Sequence, residues 1–231
     1  MYSAGAFFNL NDRNGFSAGF RYFGGPKVDL PDHTLKPKDM AIDVAYGYKL
    51  TDHLSIALTG RYIHSDMGGD AGAGKADAFA ADLGVYYRNN ISAMSGAQWS
   101  VGLQASNFGS ELDYDGLDSY SLPARIKAGG SAYLPFSEDH RLTVSANLAY
   151  RLLPSDFSTF EAGLGLDYNL YKYAFIRAGY HLGDEEKGMG NFATLGVGAS
   201  VAGFRLDASY WLGAPDEDFK NILFLSLSYR F

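Results

Sequence analysis

The sequence predicts an all-β protein: a transmembrane up-and-down antiparallel β-barrel with about 13 strands in the chain. Three observations lead to this fold class. Apolar and polar residues alternate with a period of two through almost the whole chain. The connections between the alternating segments are short and long in turn. The polar positions of the segments are rich in glycine and in charged residues.

Each predicted strand has one apolar and one polar face. In "MAIDVAYGYKL", for example, Ile42 and Val44 lie on one face and Asp43 lies on the other. The segments have about 8–13 residues each, whereas an average strand in a globular protein has about 5–6. They begin near residues 2, 16, 39, 54, 77, 97, 124, 141, 159, 173, 192, 204 and 221.

The connections fall into two classes, as expected for a membrane barrel with short turns on one side and long loops on the other. The short class contains residues 11–15, 51–53, 89–96, 137–140, 171–173 and the turn around Gly203. The long class contains residues 24–39, 65–75, 110–123, 154–158, 183–191 and 214–220. Helical patterning is nearly absent and no linker interrupts the strands, so we expect a single outer-membrane β-barrel domain over residues 1–231.

Composition narrows the function classes. Aromatic residues make up 15% of the chain and charged residues 19%, and the net charge is -7. A nucleic-acid surface would be basic, so no nucleic-acid partner is expected. The chain has no cysteine, which excludes disulfides, thiolate metal sites and a cysteine nucleophile.

Alternation alone fits both a soluble barrel and a membrane barrel. A soluble up-and-down barrel has about eight strands, and a wider one with a purely apolar interior would be badly packed. Tyrosines such as Tyr62 and Tyr180 lie near strand ends on the apolar face, as in the aromatic belts at bilayer interfaces. We therefore predict a barrel in the bacterial outer membrane, with its polar face lining the lumen. The predicted lumenal charges are Arg21, Asp43, Arg61, Asp82, Arg88, Arg125, Lys127, Arg151, Glu161, Asp167, Arg177, Arg205 and Asp207.

Two interpretations of these charges are open. In a porin-like protein these charges would determine the selectivity of the lumen. Alternatively, unlike charges on neighbouring strands pair and hold the shape of the barrel; we favour this structural interpretation.

The strand count indicates that one strand is missing, the one that would pair with the last strand to close the barrel. Bacterial outer-membrane barrels usually have an even number of strands, so 14 are expected in the complete protein and one at the N-terminus would be absent here. A miscounted hairpin is the alternative explanation. The last segment, "NILFLSLSYRF", carries an apolar stripe that ends at Tyr229 and Phe231. These two residues are predicted to form the signal read by the barrel assembly machinery.

Particular stretches resemble a known family. "KPKDMAIDVAYGYKLTDHLSIALTGRYIHSD", "AFAADLGVYYRN", "LQASNFGSELDY", "LPARIKAGGSAYLPF" and "IRAGYHLG" resemble the PorV/PorQ branch of the FadL-like outer-membrane barrels. The resemblance implies a barrel of the type IX protein secretion system, acting as a shuttle or partner subunit without enzymatic activity. It further implies docking on an SprA-like translocon barrel and receipt of secreted cargo proteins. The alternative is a FadL-like transporter or channel for small hydrophobic molecules.

The long loops are the predicted sites of protein contact. Leu30, Leu35, Tyr114, Leu117 and Tyr120 are expected to be exposed there, and exposed apolar side chains in loops usually meet a partner or fold back. Acidic loops such as 184–186 lack the residue order of a calcium loop and read as a solvated surface.

No catalytic, metal or cofactor constellation is apparent in the sequence. The five histidines are scattered over loops and strand ends. A lumenal serine hydrolase using His181 is a third hypothesis, and the spacing of the residues gives it no support.

Overall fold

The computed structural model describes residues 1–29, 34–68, 74–114, 119–188, 190–213 and 222–229. It contains thirteen long strands, which confirms the predicted number. They are β1 (Tyr2–Asn9), β2 (Asn14–Gly24), β3 (Lys38–Lys49), β4 (Leu54–Asp66), β5 (Lys75–Asn90), β6 (Gln98–Gly109), β7 (Arg125–Pro135), β8 (His140–Arg151), β9 (Thr159–Leu170), β10 (Ala174–Leu182), β11 (Phe192–Val201), β12 (Phe204–Gly213) and β13 (Ile222–Tyr229).

The long strands form one sheet in which each strand is the neighbour of the next in the chain, from β1 to β13. The pairings with a determined register are antiparallel, for example Asp43 of β3 opposite Arg61 of β4. Every second residue therefore points to the same face of the sheet. The predicted up-and-down order is confirmed.

Two short hairpins lie inside long connections and were not predicted from the sequence. One joins Val28–Asp29 to Thr34–Leu35, and the other joins Leu112–Asp113 to Ser119–Tyr120. Single 3₁₀ turns occur at Ser155–Phe157 and Glu185–Lys187. Among the described residues, the helical segments are too short and too polar to cross a bilayer.

Two of the short connections contain a turn with positive φ at both central residues. Between β11 and β12, Ala202 and Gly203 have φ angles of 51° and 84°. Between β9 and β10, Tyr171 and Lys172 have φ angles of 52° and 63°. Positive φ at both central residues belongs to the type I′ turn, whose twist matches that of the flanking strands.

The large apolar side chains are exposed and the small or polar ones are buried. Along β5, Phe79 and Leu83 are 66% and 53% exposed, whereas Ala78 and Asp82 on the opposite face are 0% and 8% exposed. This is the inverse of a soluble β-protein and suits a face in contact with hydrocarbon. We call the exposed side the apolar face and the opposite side the polar face.

Aromatic rings mark both ends of the apolar face on the first strands. Near the short turns, Phe16 stacks on Phe8 with ring centroids 5.6 Å apart and meets Tyr46 at 4.9 Å. At the long-loop end, Tyr62 lies 5.3 Å from Phe79. The expected placement of aromatic residues near strand ends is confirmed for these strands.

The chain divides into two compact units. The first comprises Met1–Tyr86, Leu103–Ile126 and Arg151–Asp156, and contains β1 to β4 with parts of β5 and β6. The second comprises Tyr87–Gly102, Lys127–Tyr150 and Phe157–Phe231, and contains β9 to β13.

Leu164 tests the environment of the apolar face. It is 64% exposed, lies in the middle of β9 and faces Tyr180 of β10. Leu164→Arg is expected to lower the free energy of unfolding in lipid vesicles by about 2–4 kcal/mol, because a cation would then face hydrocarbon. Leu164→Phe is the control and should have little effect in the same denaturant titration. Equal stability of the two variants would contradict a lipid-facing Leu164.

Candidate functional site

The polar face of the first unit carries a chain of alternating charges on neighbouring strands. Arg21 of β2 binds Asp43 of β3 with Nη2 2.9 Å from Oδ2. Asp43 also accepts from Nε of Arg61 on β4, and Arg61 Nη2 lies 3.0 Å from Asp82 Oδ2 on β5. Arg61 further donates to the amide oxygen of Asn107 on β6. A single guanidinium thus contacts side chains of three other strands.

Asn107 belongs to this network because its strand changes conformation locally. Its φ angle is 60°, and its backbone N–H donates to Asp82 Oδ1 at 2.7 Å. Two residues later, a Cβ at Gly109 would overlap the carbonyl of Phe79, so only glycine allows this approach of β6 to β5. The sequence gives no signal for this irregularity, and Asn107 was therefore not predicted.

The second unit contains a similar network. Arg177 of β10 binds Asp167 of β9 at 2.6 Å and Asp207 of β12 at 2.7 Å. Arg205 binds the other oxygen of Asp207 at 2.8 Å, and its guanidinium lies 4.1 Å from the centre of the Phe175 ring. The side chains are 20% to 40% exposed, so the ions are partly desolvated.

Eight of the thirteen predicted lumenal charges therefore pair with unlike charges, seven of them across strands and Arg205 with Asp207 on its own strand. This pairing favours the structural interpretation for those eight residues. Arg88, Arg151 and Glu161 also have interaction partners. Arg125 is exposed and Lys127 half-buried on the same face. A role of the set in the lumen stays a prediction.

Residues 110–114 and 119–124, the described parts of segment 110–124, fold back over the polar face of the first unit. Leu122, 7% exposed, packs on Ala78 and Ala80 of β5, with Ile63 and Leu112 at the edge of the cluster. This contact explains why the polar face of β5 carries alanines there: larger side chains would displace the segment.

Tyr114 fixes the position of this segment. Its hydroxyl lies 2.8 Å from Oγ of Ser65 on β4, which in turn donates to Oδ1 of Asp39 on β3 at 2.5 Å. Tyr120, on the short hairpin, is 52% exposed and meets Tyr114 edge to face.

The prediction that Tyr114 is exposed is wrong. It is 6% exposed because the segment folds back and its hydroxyl finds a partner on β4. Leu35 is half-buried rather than exposed, since it belongs to the hairpin with Val28–Asp29. Tyr120 is exposed as expected. Leu30 and Leu117 lie outside the described residues, as does Phe231 of the predicted assembly signal.

An open cavity of about 260 Å³ lies beside the first charge network. Its wall includes Arg21 and Arg61, and apolar side chains of Phe23, Met40 and Leu122. Its mostly apolar wall thus carries two arginines and the carboxylate of Asp39.

No cluster of three or more potential metal ligands occurs among the described residues. His181 stacks on Phe192 with ring centroids 4.7 Å apart. Its Nε2 is buried and lacks a hydrogen-bond partner within the described part of the chain. The geometry thus gives no support to a hydrolytic triad built on His181.

Solved structures with the same fold are transporters and channels. The Pseudomonas putida toluene transporter TodX matches with a TM-score of 0.58 and 11% identity, over 92% of this chain and 76% of TodX. The CymD monoaromatic hydrocarbon channel matches with a TM-score of 0.54 and 12% identity, over 90% of this chain and 76% of CymD. At these identities the likeness shows the fold alone, an up-and-down antiparallel β-barrel.

One family matches by sequence. Residues 3–158 fit the family described as "Type IX secretion system protein PorV". No curated protein matches the chain.

Asp82 tests the first charge network. Asp82→Asn is expected to lower the free energy of unfolding by about 1.5–3 kcal/mol, because Arg61 and the Asn107 N–H lose a charged partner. Denaturant titration in detergent micelles measures it. Asp52→Asn is the control, because Asp52 lies in an exposed turn where a hydrogen bond from Lys49 lowers its pKa but water screens the pair. If both variants had the same free energy of unfolding as the parent protein, the network would not contribute to stability.

Tyr114 tests the fold-back of segment 110–124. Tyr114→Phe removes the hydrogen bond to Ser65, worth about 1 kcal/mol, and should raise the open population about fivefold. Limited proteolysis within 110–124 should accelerate by the same factor. Tyr120→Phe removes an exposed hydroxyl and should leave the cleavage rate unchanged. Equal rates for all three proteins would contradict the role of Tyr114.

Proposed function

The chain belongs to the PorV family of the type IX secretion system, and on that premise we propose that it is a partner subunit that docks on a larger translocon barrel. In this proposal the translocon is an SprA-like barrel, and the chain receives secreted cargo proteins from it. The protein acts as a shuttle without enzymatic activity. The family match is the observation that carries the proposal.

The coarser part of this function follows from family and fold. The chain is an outer-membrane β-barrel protein of type IX secretion. Its exposed apolar face and the aromatic rings at the strand ends fit a bilayer.

A polar cluster on the apolar face supports docking of another protein. Asp77 of β5 shares this face with Phe79 and is 55% exposed on its side chain. It accepts a hydrogen bond from the Tyr62 hydroxyl at 2.5 Å and lies 2.8 Å from Nδ1 of His64. Asp77 lies two residues beyond Phe79 at the long-loop end of β5, where its exposed carboxylate can accept hydrogen bonds from a neighbouring protein.

The exposed Tyr120 supports contact at the same end of the strands. Tyr114 and Leu122 hold segment 110–124 against the strands, so the backbone that carries Tyr120 has a fixed position. A pre-ordered aromatic side chain loses little entropy when it binds, and tyrosine is enriched in protein interfaces.

Two further partners complete the proposal. The barrel assembly machinery reads the last strand, where Tyr229 is exposed and packs on Phe204 with ring centroids 4.6 Å apart. Cargo proteins bind after the chain has docked; Leu30, Leu35 and Leu117 stay candidates for such contacts in the long loops.

A FadL-like transporter or channel for small hydrophobic molecules is the second candidate. The observation in its favour is the cavity of about 260 Å³ with its mostly apolar wall. TodX and CymD are named as a toluene transporter and a monoaromatic hydrocarbon channel. Conductance of single molecules in planar bilayers, or uptake into vesicles, would favour this candidate.

Co-purification tests the docking proposal. A tagged chain extracted from native membranes with mild detergent should recover a larger barrel and secreted cargo. Tyr120→Ser and Asp77→Ala should each reduce this recovery several-fold, because they remove contacts at the proposed docking face.

The control is Tyr173→Ser, which changes a tyrosine that is 63% exposed in the short turn 171–173. It should recover as much partner as the parent protein. Recovery of the parent chain alone would refute docking. Undiminished recovery by Tyr120→Ser and Asp77→Ala would refute only the assigned face.

A further inference from the structure

Three aromatic side chains meet at the short-turn end of β8 and β9, on the apolar face of the second unit. Counting in twos places His140 on the same face as Val144, and Tyr168 on the same face as Leu164. Nδ1 of His140 lies 2.7 Å from the Tyr168 hydroxyl, and the Tyr171 ring meets the imidazole edge to face at 5.3 Å. We call His140, Tyr168 and Tyr171 the turn cluster.

The contact with Tyr168 determines which nitrogen of His140 can bind a ligand. We assign the Tyr168 hydroxyl as the donor to Nδ1, because a phenol is a stronger hydrogen-bond donor than a neutral imidazole. The proton of the imidazole is then on Nε2. Within the described part of the chain, no protein group is hydrogen-bonded to Nε2 of this half-buried side chain. The turn cluster therefore presents an N–H donor in a fixed orientation.

Tyr171 and Lys172 occupy turn positions that usually belong to other residue types. Their φ angles are 52° and 63°, and turns of this type favour Asn-Gly and similar pairs. A left-handed backbone costs about 1–2 kcal/mol at a residue with a Cβ. An exposed tyrosine and an exposed lysine are present in spite of this cost. The strain indicates that both side chains have a role that asparagine and glycine could not fill.

Main-chain hydrogen bonds outside the regular strand pairing fix the position of this turn. The N–H of Tyr171 donates to the carbonyl of Asp139 at 2.7 Å. The N–H of Ser200 donates to the carbonyl of Tyr173, also at 2.7 Å. The turn 171–173 is thereby joined to the turn 137–140 on one side and to the end of β11 on the other. A ligand bound here would meet a site that is already ordered.

Side chains of opposite charge lie on the two neighbouring turns. Lys172 is exposed and makes no ion pair within the described residues. The carboxylates of Glu138 and Asp139 are exposed on the turn to which Tyr171 is bonded. Arg141 belongs to the polar face by the count in twos and donates to the main-chain oxygen of Glu138 at 3.2 Å. A ligand with both an anionic and a cationic group matches this arrangement.

We propose that the turn cluster binds the headgroup of a phospholipid that carries a primary amine, of the phosphatidylethanolamine type. Short turns of outer-membrane barrels face the periplasm, so the cluster lies among the headgroups of the inner leaflet. The phosphate accepts hydrogen bonds from Nε2–H of His140 and from the ammonium of Lys172. The amine of the lipid binds the carboxylate of Asp139. The acyl chains lie along the exposed apolar face, which includes Leu164.

This site differs from an ordinary aromatic belt. Interfacial tyrosines hold a barrel at the level of the headgroups without selecting a particular lipid. The turn cluster adds an oriented N–H donor and both signs of charge. Selectivity among headgroups is therefore the property that separates a lipid site from a belt.

The lipid site goes beyond the proposed function and does not depend on it. It uses short turns of the second unit, whereas the proposed docking face uses the long-loop ends of β4 and β5 with Tyr120. The two sets of residues do not overlap. Failure of one proposal therefore leaves the other intact.

Native mass spectrometry of the detergent-extracted protein tests the site. The probes are phosphatidylethanolamine, phosphatidylcholine and phosphatidylglycerol with identical dilauroyl chains, and the dissociation constant of the first bound lipid is measured for each. We expect the ethanolamine lipid to bind about tenfold more tightly than the other two. The reason is that choline has no N–H to donate to Asp139 and the glycerol headgroup has no cation.

Substitutions identify the residues of the site. Lys172→Gln should weaken binding of the ethanolamine lipid about tenfold, because the phosphate loses a charged partner. Lys49→Gln is the matched control: Lys49 also adjoins a short turn, but it pairs with Asp52 at 3.1 Å, and binding should not change. Asp139→Asn should reduce the affinity for the ethanolamine lipid to that for the choline lipid.

His140→Phe separates the donor from the ring. It keeps an aromatic side chain beside Tyr171 and removes Nε2–H, so it should weaken binding of the ethanolamine lipid. Retained heat-modifiable mobility on gels checks that each variant is folded. Equal affinity of the parent protein for the three lipids, or equal affinity of the Lys172→Gln and Lys49→Gln proteins for the ethanolamine lipid, would overturn the proposal.

Discussion

The pairing of backbone hydrogen bonds between successive strands is the constraint on which the rest of the structure depends. Inside hydrocarbon there is no water to satisfy a free N–H or C=O, so each strand must find its partner in a neighbour. The up-and-down order achieves this with the shortest connections. It also fixes the two faces, because a shift by one residue would exchange apolar and polar side chains along a whole strand.

Because the two faces are fixed in this way, the polar face must hold charged side chains that are partly removed from water. Arg61 and Arg177 do this by binding carboxylates from two strands each. Such pairs add little net stability when both partners are present, but the loss of one leaves an uncompensated ion. The arginines therefore favour one register over its alternatives. They hold neighbouring strands in the alignment that the backbone ladder permits.

The sequence predicted the strands far better than the irregular parts. A period of two, carried by residues such as Ile42 and Asp43, is a local signal and placed the thirteen strands within a few residues. Tyr114 and Asn107 depend on contacts with distant strands, Ser65 on β4 and Asp82 on β5, which no local pattern encodes. His140 was within reach of the sequence, since counting in twos back from Val144 places it on the apolar face. Its contacts with Tyr168 and Tyr171 required the arrangement of the strands and the turn.

The alanines of β5 have a consequence for the space above the polar face. Ala78 is fully buried and Leu122 packs on it, so the segment touches the strand directly at Leu122. The volume of one side chain thereby sets how closely Leu122 approaches β5. A change in that distance would not require a new loop. Exchange of the methyl group of Ala78 for a larger substituent would be enough to push Leu122 away from the strand.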